Sequence, residues 1–300
     1  MVNLVCEMAQ ASIVIRTYNE QQILPRTLAA LRTQTFQNYR LIVVDSGSTD
    51  HTVAIAKEFH GVRLVEVAHS EFTFGRGLNL GIAASESDTE FVAILSAHAI
   101  PVSHDWLENL LEPMLSSAEV VGVFGKQIPL EEHLSNPVVR ALEKYGYPEY
   151  FGDDAYGTKE NHRFSNTNSA IRMSAWRALP FDEQAEFAED QIWAHEMLSQ
   201  GHSIAYEPGA IVYHSHPDSY RRYYQRTYAG ESAMVVQGLA TDQRDFKAWL
   251  KNQFAYLWEY AYSIYDLNSL MGIHWDLLRL KTVANWAWYR AGKARSDADR

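Results

Sequence analysis

Apolar positions in the first two thirds of the chain follow two alternating patterns. Short continuous apolar runs lie at residues 12–16, 40–44, 62–67, 91–95 and 120–124. Runs apolar on both faces mark strands buried in a parallel sheet. Between them the apolar spacing changes to three and four residues: Leu24, Leu28 and Leu31; Val53, Ala56 and Phe59; Leu78 and Ile82 within 75–84; then Trp106, Leu107, Leu110, Leu111 and Met114. That spacing predicts amphipathic helices, the last of them capped by Ser103. Strand and helix in alternation predict an α/β fold, a mostly parallel sheet flanked by helices and joined by right-handed crossovers. Ligands of such sheets bind beyond the carboxyl ends of the strands. Three polar clusters fall there: Thr17-Tyr18-Asn19-Glu20, Asp45-Ser46-Gly47-Ser48-Thr49-Asp50 and Ser96-Ala97-His98.

The pattern loosens after residue 126. Residues 127–163 are rich in Tyr, Gly, Pro and acids and read as a long loop with one helix near 137–145, either a substrate lid or a variable surface loop. Asn166-Thr167-Asn168-Ser169 runs into a strand. A helix carrying Ile192, Trp193, Met197 and Leu198 opens on Glu189-Asp190 and stops at Gly201. Short strands at 203–206 and 210–213 lead to His214-Ser215-His216. A helix bearing Tyr220, Arg221, Arg222, Tyr223, Tyr224, Arg226 and Tyr228 follows, then a linker at 240–245. Two amphipathic helices, 246–265 and 273–291, are dense in Trp and Tyr. The expected division is a catalytic domain at 1–238 and a C-terminal helical appendage at 239–300. Its rings leave a membrane surface, a second subunit and packing on the catalytic domain as alternatives.

Composition narrows the partners. A net charge of -11 over 300 residues argues against nucleic acid as a partner. An anionic substrate would need local arginines or a metal to overcome that field. The single cysteine, Cys6, excludes an internal disulfide and fits a reducing, cytoplasmic setting. Residues 1–10 lack the pattern of a signal peptide, and no run is long enough to predict a membrane-spanning helix.

Glu189 and Asp190 sit in the first turn of their helix, where acids also serve as capping charge. Their polar surroundings make them equally suited to act as a general base at a cleft. Four motifs in order and spacing decide between these readings: Ile13-Val14-Ile15-Arg16-Thr17-Tyr18-Asn19-Glu20, Val43-Val44-Asp45-Ser46-Gly47-Ser48-Thr49-Asp50, Asn79-Leu80-Gly81-Ile82 and Glu189-Asp190. Across residues 11–235 the chain resembles the family 2 glycosyltransferases, inverting enzymes of the Rossmann-like GT-A fold. The stretch Phe72-Thr73-Phe74-Gly75-Arg76-Gly77-Leu78-Asn79 is similar to that of bacterial rhamnosyltransferases of surface-polysaccharide assembly.

The resemblance implies a nucleotide-diphosphate sugar donor, dTDP-rhamnose among them, and a hydroxyl acceptor on a glycan or lipid. It implies that Asp190, beside Glu189, is the base. Thr17, Tyr18, Asn19 and Glu20 would line the nucleotide, Asp45 with Ser46 would meet its base, and Arg76 and Asn79 would lie near by. Asn166, Asn168, Trp193 and Arg221 would shape the sugar or acceptor pocket. One departure stands out. The family holds Mn or Mg on an Asp-x-Asp motif at the end of the fourth strand, and Ser96-Ala97-His98 occupies that place. An imidazole favours manganese or a later divalent ion over magnesium. His98 is therefore expected either to ligate a metal with His214 and His216, or to donate directly to a phosphate. Two further classes stay open: a nucleotidyltransferase and a non-catalytic nucleotide-sugar or glycan-binding module. Oligomeric state is open too, with a homo-oligomer among the alternatives.

Overall fold

The computed structural model describes residues 10–145, 157, 163–239, 250–255 and 271–298. These divide into two compact units: residues 1–127 with 149–214, and residues 128–148 with 215–300. The expected boundary at 238 lies inside the second unit. The expected linker at 240–245 and most of the expected helix 246–265 lie outside the described residues.

The first unit is built on an eight-stranded sheet in the order β3-β2-β1-β4-β7-β6-β8-β5. The strands are β1 (Ala11–Thr17), β2 (Tyr39–Asp45), β3 (Arg63–Glu66), β4 (Phe91–Ser96), β5 (Ile100–Pro101), β6 (Val120–Ile128), β7 (Asn168–Arg172) and β8 (Ser203–Tyr213). Its helices are α1 (Leu24–Arg32), α2 (Thr52–Lys57), α3 (Phe74–Ala83), α4 (Trp106–Ser116), α6 (Met173–Ala178) and α7 (Glu189–Ser199), while α5 (Pro137–Tyr145) belongs to the second unit. The four strands β3, β2, β1 and β4 pair in parallel. The sheet is mixed beyond them, because β7 runs antiparallel to both β4 and β6, and β5 antiparallel to β8.

Alternation along the strands sorts side chains onto two cores. Ile13 and Ile15 join Leu24, Leu28, Leu31 and Trp106 on the α1, α2 and α4 face. Val14, Val44, Val92 and Ile94 join Leu78, Ile82, Trp193 and Met197 on the α3 and α7 face. Two expectations change. The paired short strands at 203–213 are one continuous strand, β8. Ser103 is not the cap of α4, which starts at Trp106 behind Asp105.

The second unit gathers α5, α8 (Tyr220–Val236) and α9 (Met271–Ala298), with α9 packed on both others. Val138, Ala141 and Leu280 form its small core, with Tyr220 and Tyr223 packed against it. Asn136 caps α5 by accepting from the Val138 and Val139 amides and donates to the Asp218 carbonyl. Asp218 pairs with Arg226 at 2.9 Å and Arg222 at 3.4 Å. No helix among the described residues is long and apolar enough to cross a membrane.

Helix α3 carries Gly75 against the backbone of the loop that precedes α7. A Cβ there would lie 2.1 Å from the Asp182 carbonyl oxygen. Backbone cannot yield as a flexible side chain can, so Gly75→Ala should cost about 1–3 kcal/mol and lower the thermal midpoint. Gly230→Ala, inside α8 with open space around it, should raise the midpoint, since alanine is favoured over glycine in a helix by about 1 kcal/mol. Thermal melts of both variants check the contrast.

Candidate active site

The parallel register brings strand ends together. Thr17 lies opposite Asp45, and Arg16 lies between Val44 and Ser96. Beyond these ends the loops are laced to one another. The Asn19 amide donates to Ser48 Oγ at 2.8 Å, the Thr49 amide to Asn19 Oδ1 at 2.8 Å, and the Glu20 amide to Thr52 Oγ1 at 2.7 Å. Asn19 takes a left-handed backbone, φ 55, which asparagine tolerates better than most residues.

Asp45 is buried, and its carboxylate accepts from the Gly47 and Ser48 amides and from Ser48 Oγ. It thus forms the Asx-type turn its sequence allows. Ser46 bonds back to the Thr17 carbonyl through both its amide and its hydroxyl. Tyr18 is 44% exposed and stacks on His69, with ring centroids 4.7 Å apart. The sequence reading missed His69. Besides the Tyr18 ring, the Ser46 carbonyl, 3.2 Å from His69 Nδ1, ties it to the nucleotide motifs.

Asn79 is committed to its neighbours. Its amide nitrogen donates to the Phe181 carbonyl and to Glu183 Oε1, and its oxygen accepts from the Phe181 amide and Trp176 Nε1. Arg76 faces Glu183 at 3.4 Å and Glu71 at 3.8 Å on an open surface. With Thr73 Oγ1 donating to the Glu183 carbonyl, α3 clamps the loop that delivers the acid pair.

That loop ends at Ala188, whose φ of 63 is left-handed. Such a backbone in alanine costs on the order of 1–3 kcal/mol and persists only where the surroundings impose it. Glu189 and Asp190 follow in the first turn of α7. Glu189 is buried, and its Oε1 accepts from Arg16 Nη1 at 3.0 Å and Asn166 Nδ2 at 3.4 Å. Asp190 accepts from the Asn166 amide at 3.1 Å and the Gln191 amide at 2.8 Å. Loss of water around Asp190, then the charge of Glu189, push its carboxyl up to about 7, against the opposing amides and Arg16.

The expected pocket residues are dispersed. Asn166 is 1% exposed and braces the acids. Asn168 is fully buried and ties the Lys126 and Ala210 carbonyls to Trp106 Nε1, with Gly125 leaving room for its amide. Trp193 is 1% exposed and donates to the Leu179 carbonyl. Neither Asn168 nor Trp193 has surface to offer a ligand, because the packing that fixes each side chain also covers it. Arg221 is exposed on α8 in the second unit.

Ala97 is buried and its carbonyl accepts from Thr27 Oγ1, so it contributes backbone alone. His98 Nδ1 lies 2.7 Å from Glu20 Oε1, and its ring stacks on His214 at 5.0 Å between centroids. Ligand atoms of His98 and His214 lie within 4.8 Å of each other. His214 follows the end of β8 rather than lying within the strand, and His216 comes two residues later, where the chain enters the second unit. Imidazoles with a carboxylate beside them are a donor set suited to a later divalent ion, with Glu20 orienting the His98 ring.

A sheet with polar loops at its parallel strand ends, and beside them an acid pair in which the Asp190 carboxyl is pushed up to about 7, is an arrangement suited to a group-transfer enzyme. Residues 12–179, more than half of the chain, match Glycosyl transferase family 2, and the chain belongs to that family. It is 26% identical to the O-antigen chain rhamnosyltransferase RfbN of Salmonella typhimurium, covering 93% of this chain and 95% of the relative. It is 28% identical to the O-antigen chain rhamnosyltransferase WbaN of Salmonella anatum, covering 87% and 88%. Its fold is similar to that of the mannosyltransferase PcManGT from Pyrobaculum calidifontis, solved with GDP-Man and Mn2+, with a TM-score of 0.60 at 19% identity over 97% of this chain and 76% of the other. The fold is GT-A and the protein is a glycosyltransferase, which sets aside the nucleotidyltransferase and the non-catalytic binding module.

A carboxyl whose folded pKa, about 7, exceeds its ordinary value of 3.8 binds its proton more tightly in the folded state. Between those values the folded state holds more protons than the unfolded chain, so stability falls as pH rises through the window. Asp190→Asn removes that penalty and can still accept a backbone amide. It should raise the melting temperature at about pH 8 and much less at about pH 5. Melts across that range check the sign.

Proposed function

We propose that the protein transfers a sugar, with inversion, from a nucleotide-diphosphate sugar to a hydroxyl of a glycan or lipid-linked acceptor, with dTDP-rhamnose as the donor. The observation that carries this reading is the Asp190 carboxyl, partly open to solvent and pushed up to about 7. A base at that value is about half ionised at neutral pH and strong enough to accept a hydroxyl proton. The Salmonella relatives' rhamnosyltransferase names support the sugar. The GDP-Man complex of the Pyrobaculum enzyme supports a nucleotide sugar.

In this reading Asp190 takes the proton of the acceptor hydroxyl as its oxygen bonds to the anomeric carbon. The bond from that carbon to the diphosphate oxygen breaks, and the nucleoside diphosphate leaves from the opposite face with the electron pair. Asn166 and Gln191 hold the Asp190 carboxylate through their amides. The exposed ring of Tyr18, backed by His69, offers the nucleobase a stacking surface. Thr17, Asn19, Glu20, Asp45 and Ser46 shape the loops around it. His98, His214 and His216 would hold a divalent cation, manganese before magnesium. Such a cation supplies positive charge to the diphosphate, and the Mn2+ of the Pyrobaculum complex supports it. We also propose a cytoplasmic setting with the second unit at the membrane face, supported by exposed Val236, Phe254 and Trp286.

Mass spectrometry of products from a nucleotide-sugar panel tests the donor. Asp190→Asn should abolish transfer, with turnover below about a tenth of wild type overturning the alternative of a bystander carboxyl. In wild type, kcat/KM should rise with pH and level off above about 7, because only the ionised base accepts a proton.

Metal use is tested after EDTA treatment by initial rates against added ion. His98→Ala should lose most activity, and His98→Asp should shift preference towards magnesium, which favours oxygen ligands. Full wild-type activity in EDTA, with no response to any divalent ion, would remove the metal from this reading.

A further inference from the structure

We propose that Arg16 is a positioning residue for the acid pair, its guanidinium holding the Glu189 carboxylate against the start of α3 so that Asp190 stays available as the base. The inference rests on the reading of Asp190 as that base.

Arg16 stands one residue before the end of β1 and is its one charged residue. Strand alternation puts it on the same face as Val14, the face that packs α3 and α7. There its Nη1 donates to Glu189 Oε1 at 3.0 Å and to the Phe74 carbonyl at 3.1 Å. The guanidinium lies 4.9 Å over the Phe74 ring, and that ring contacts Phe187, two residues before the acids, at 5.8 Å. One side chain therefore touches β1's own face, the first residue of α3 and the first residue of α7.

The pair is poorly hydrated, with side-chain exposures of 16% and 7%. A desolvated arginine at a strand end is costly unless paired. A desolvated glutamate next to a second carboxyl is equally costly unless a cation neutralises it. The charged groups acting on Asp190 are Glu189 from its own helix and Arg16 from β1, with the Asn166 and Gln191 amides as the nearest dipoles. Without Arg16 two carboxylates would compete for ionisation in one dry turn, and the proton they retain would block the base. Arg16 touches neither reacting atom in this account; it acts through Glu189.

The test reads the Asp190 carboxyl directly, by carbon-13 NMR titration assigned through the resonance missing from Asp190→Asn. Turnover is followed in parallel as dTDP release from dTDP-rhamnose. In Arg16→Met the Asp190 midpoint should rise by about one pH unit, because Arg16 is among the groups that lower the Asp190 carboxyl and an opposite charge near by lowers a carboxyl by about one to three. Its kcat at neutral pH should fall about fivefold with donor KM little changed, since a group not touching substrate alters chemistry rather than binding. Arg16→Lys should recover much of both. Glu189→Gln should lower the midpoint, and adding Arg16→Met to Glu189→Gln should raise that midpoint by less than Arg16→Met raises the wild-type one. Should Arg16→Met fail to fold, Arg16→Lys and Glu189→Gln carry the same comparison. A wild-type midpoint in Arg16→Met, or a change confined to its thermal stability, overturns the proposal. Retained turnover in Asp190→Asn would instead overturn the identity of the base, and the titration separates the two failures.

Discussion

The in-register ladder of β2, β1 and β4 is the constraint on which the catalytic edge depends. Thr17 meets Asp45 and Arg16 meets Ser96 only in this register. A slip of one residue would exchange the two faces of every strand. Arg16 would then face α1 and α4, whose buried side chains are apolar apart from Thr27, and the Glu189 carboxylate would lose its cation. The apolar runs that specify two cores therefore also specify where the one charged side chain of β1 points.

A second constraint acts through α3. Gly75 lets the helix lie against the Asp182 backbone, and Asn79 spends its whole amide on Phe181, Glu183 and Trp176. These contacts fix the loop ahead of α7 tightly enough to hold Ala188 in a left-handed conformation. Strain there is consistent with a site held by its surroundings rather than by its own preference. Of the acids that follow, Glu189 is buried and Asp190 half-buried beside it, both braced by Asn166, an arrangement that favours chemistry over stability.

The other side of the edge is organised by imidazoles rather than by an Asp-x-Asp motif. His98 is held by Glu20 and stacks on His214, so an end of β4 and the end of β8 meet. Imidazoles at this position bring less negative charge to the site than a pair of aspartates would. That suits a chain whose net charge of -11 already disfavours anionic donors at long range.

Much of this was legible in the sequence. Apolar periodicity located the first four strands and their helices, because burial on both faces demands continuous apolar runs and a helix packed on one face demands spacing of three and four. The motifs Thr17–Glu20, Asp45–Asp50 and Glu189-Asp190 were legible because polar residues at strand ends and helix starts have few structural reasons to cluster. Tertiary structure alone decided which polar side chains face a ligand. Asn79 and Asn168 look like binding residues in sequence, yet their amides close the fold, since a buried amide must find partners wherever packing provides them. Trp193 went to the core by the same competition between burial and display. His69 carries no periodic or motif signal, and only the loop geometry sets it under Tyr18. The partnership of Arg16 with Glu189 spans 173 positions of chain; local sequence fixes each residue's element, and only the packing of α3 and α7 on one face of β1 makes them a pair.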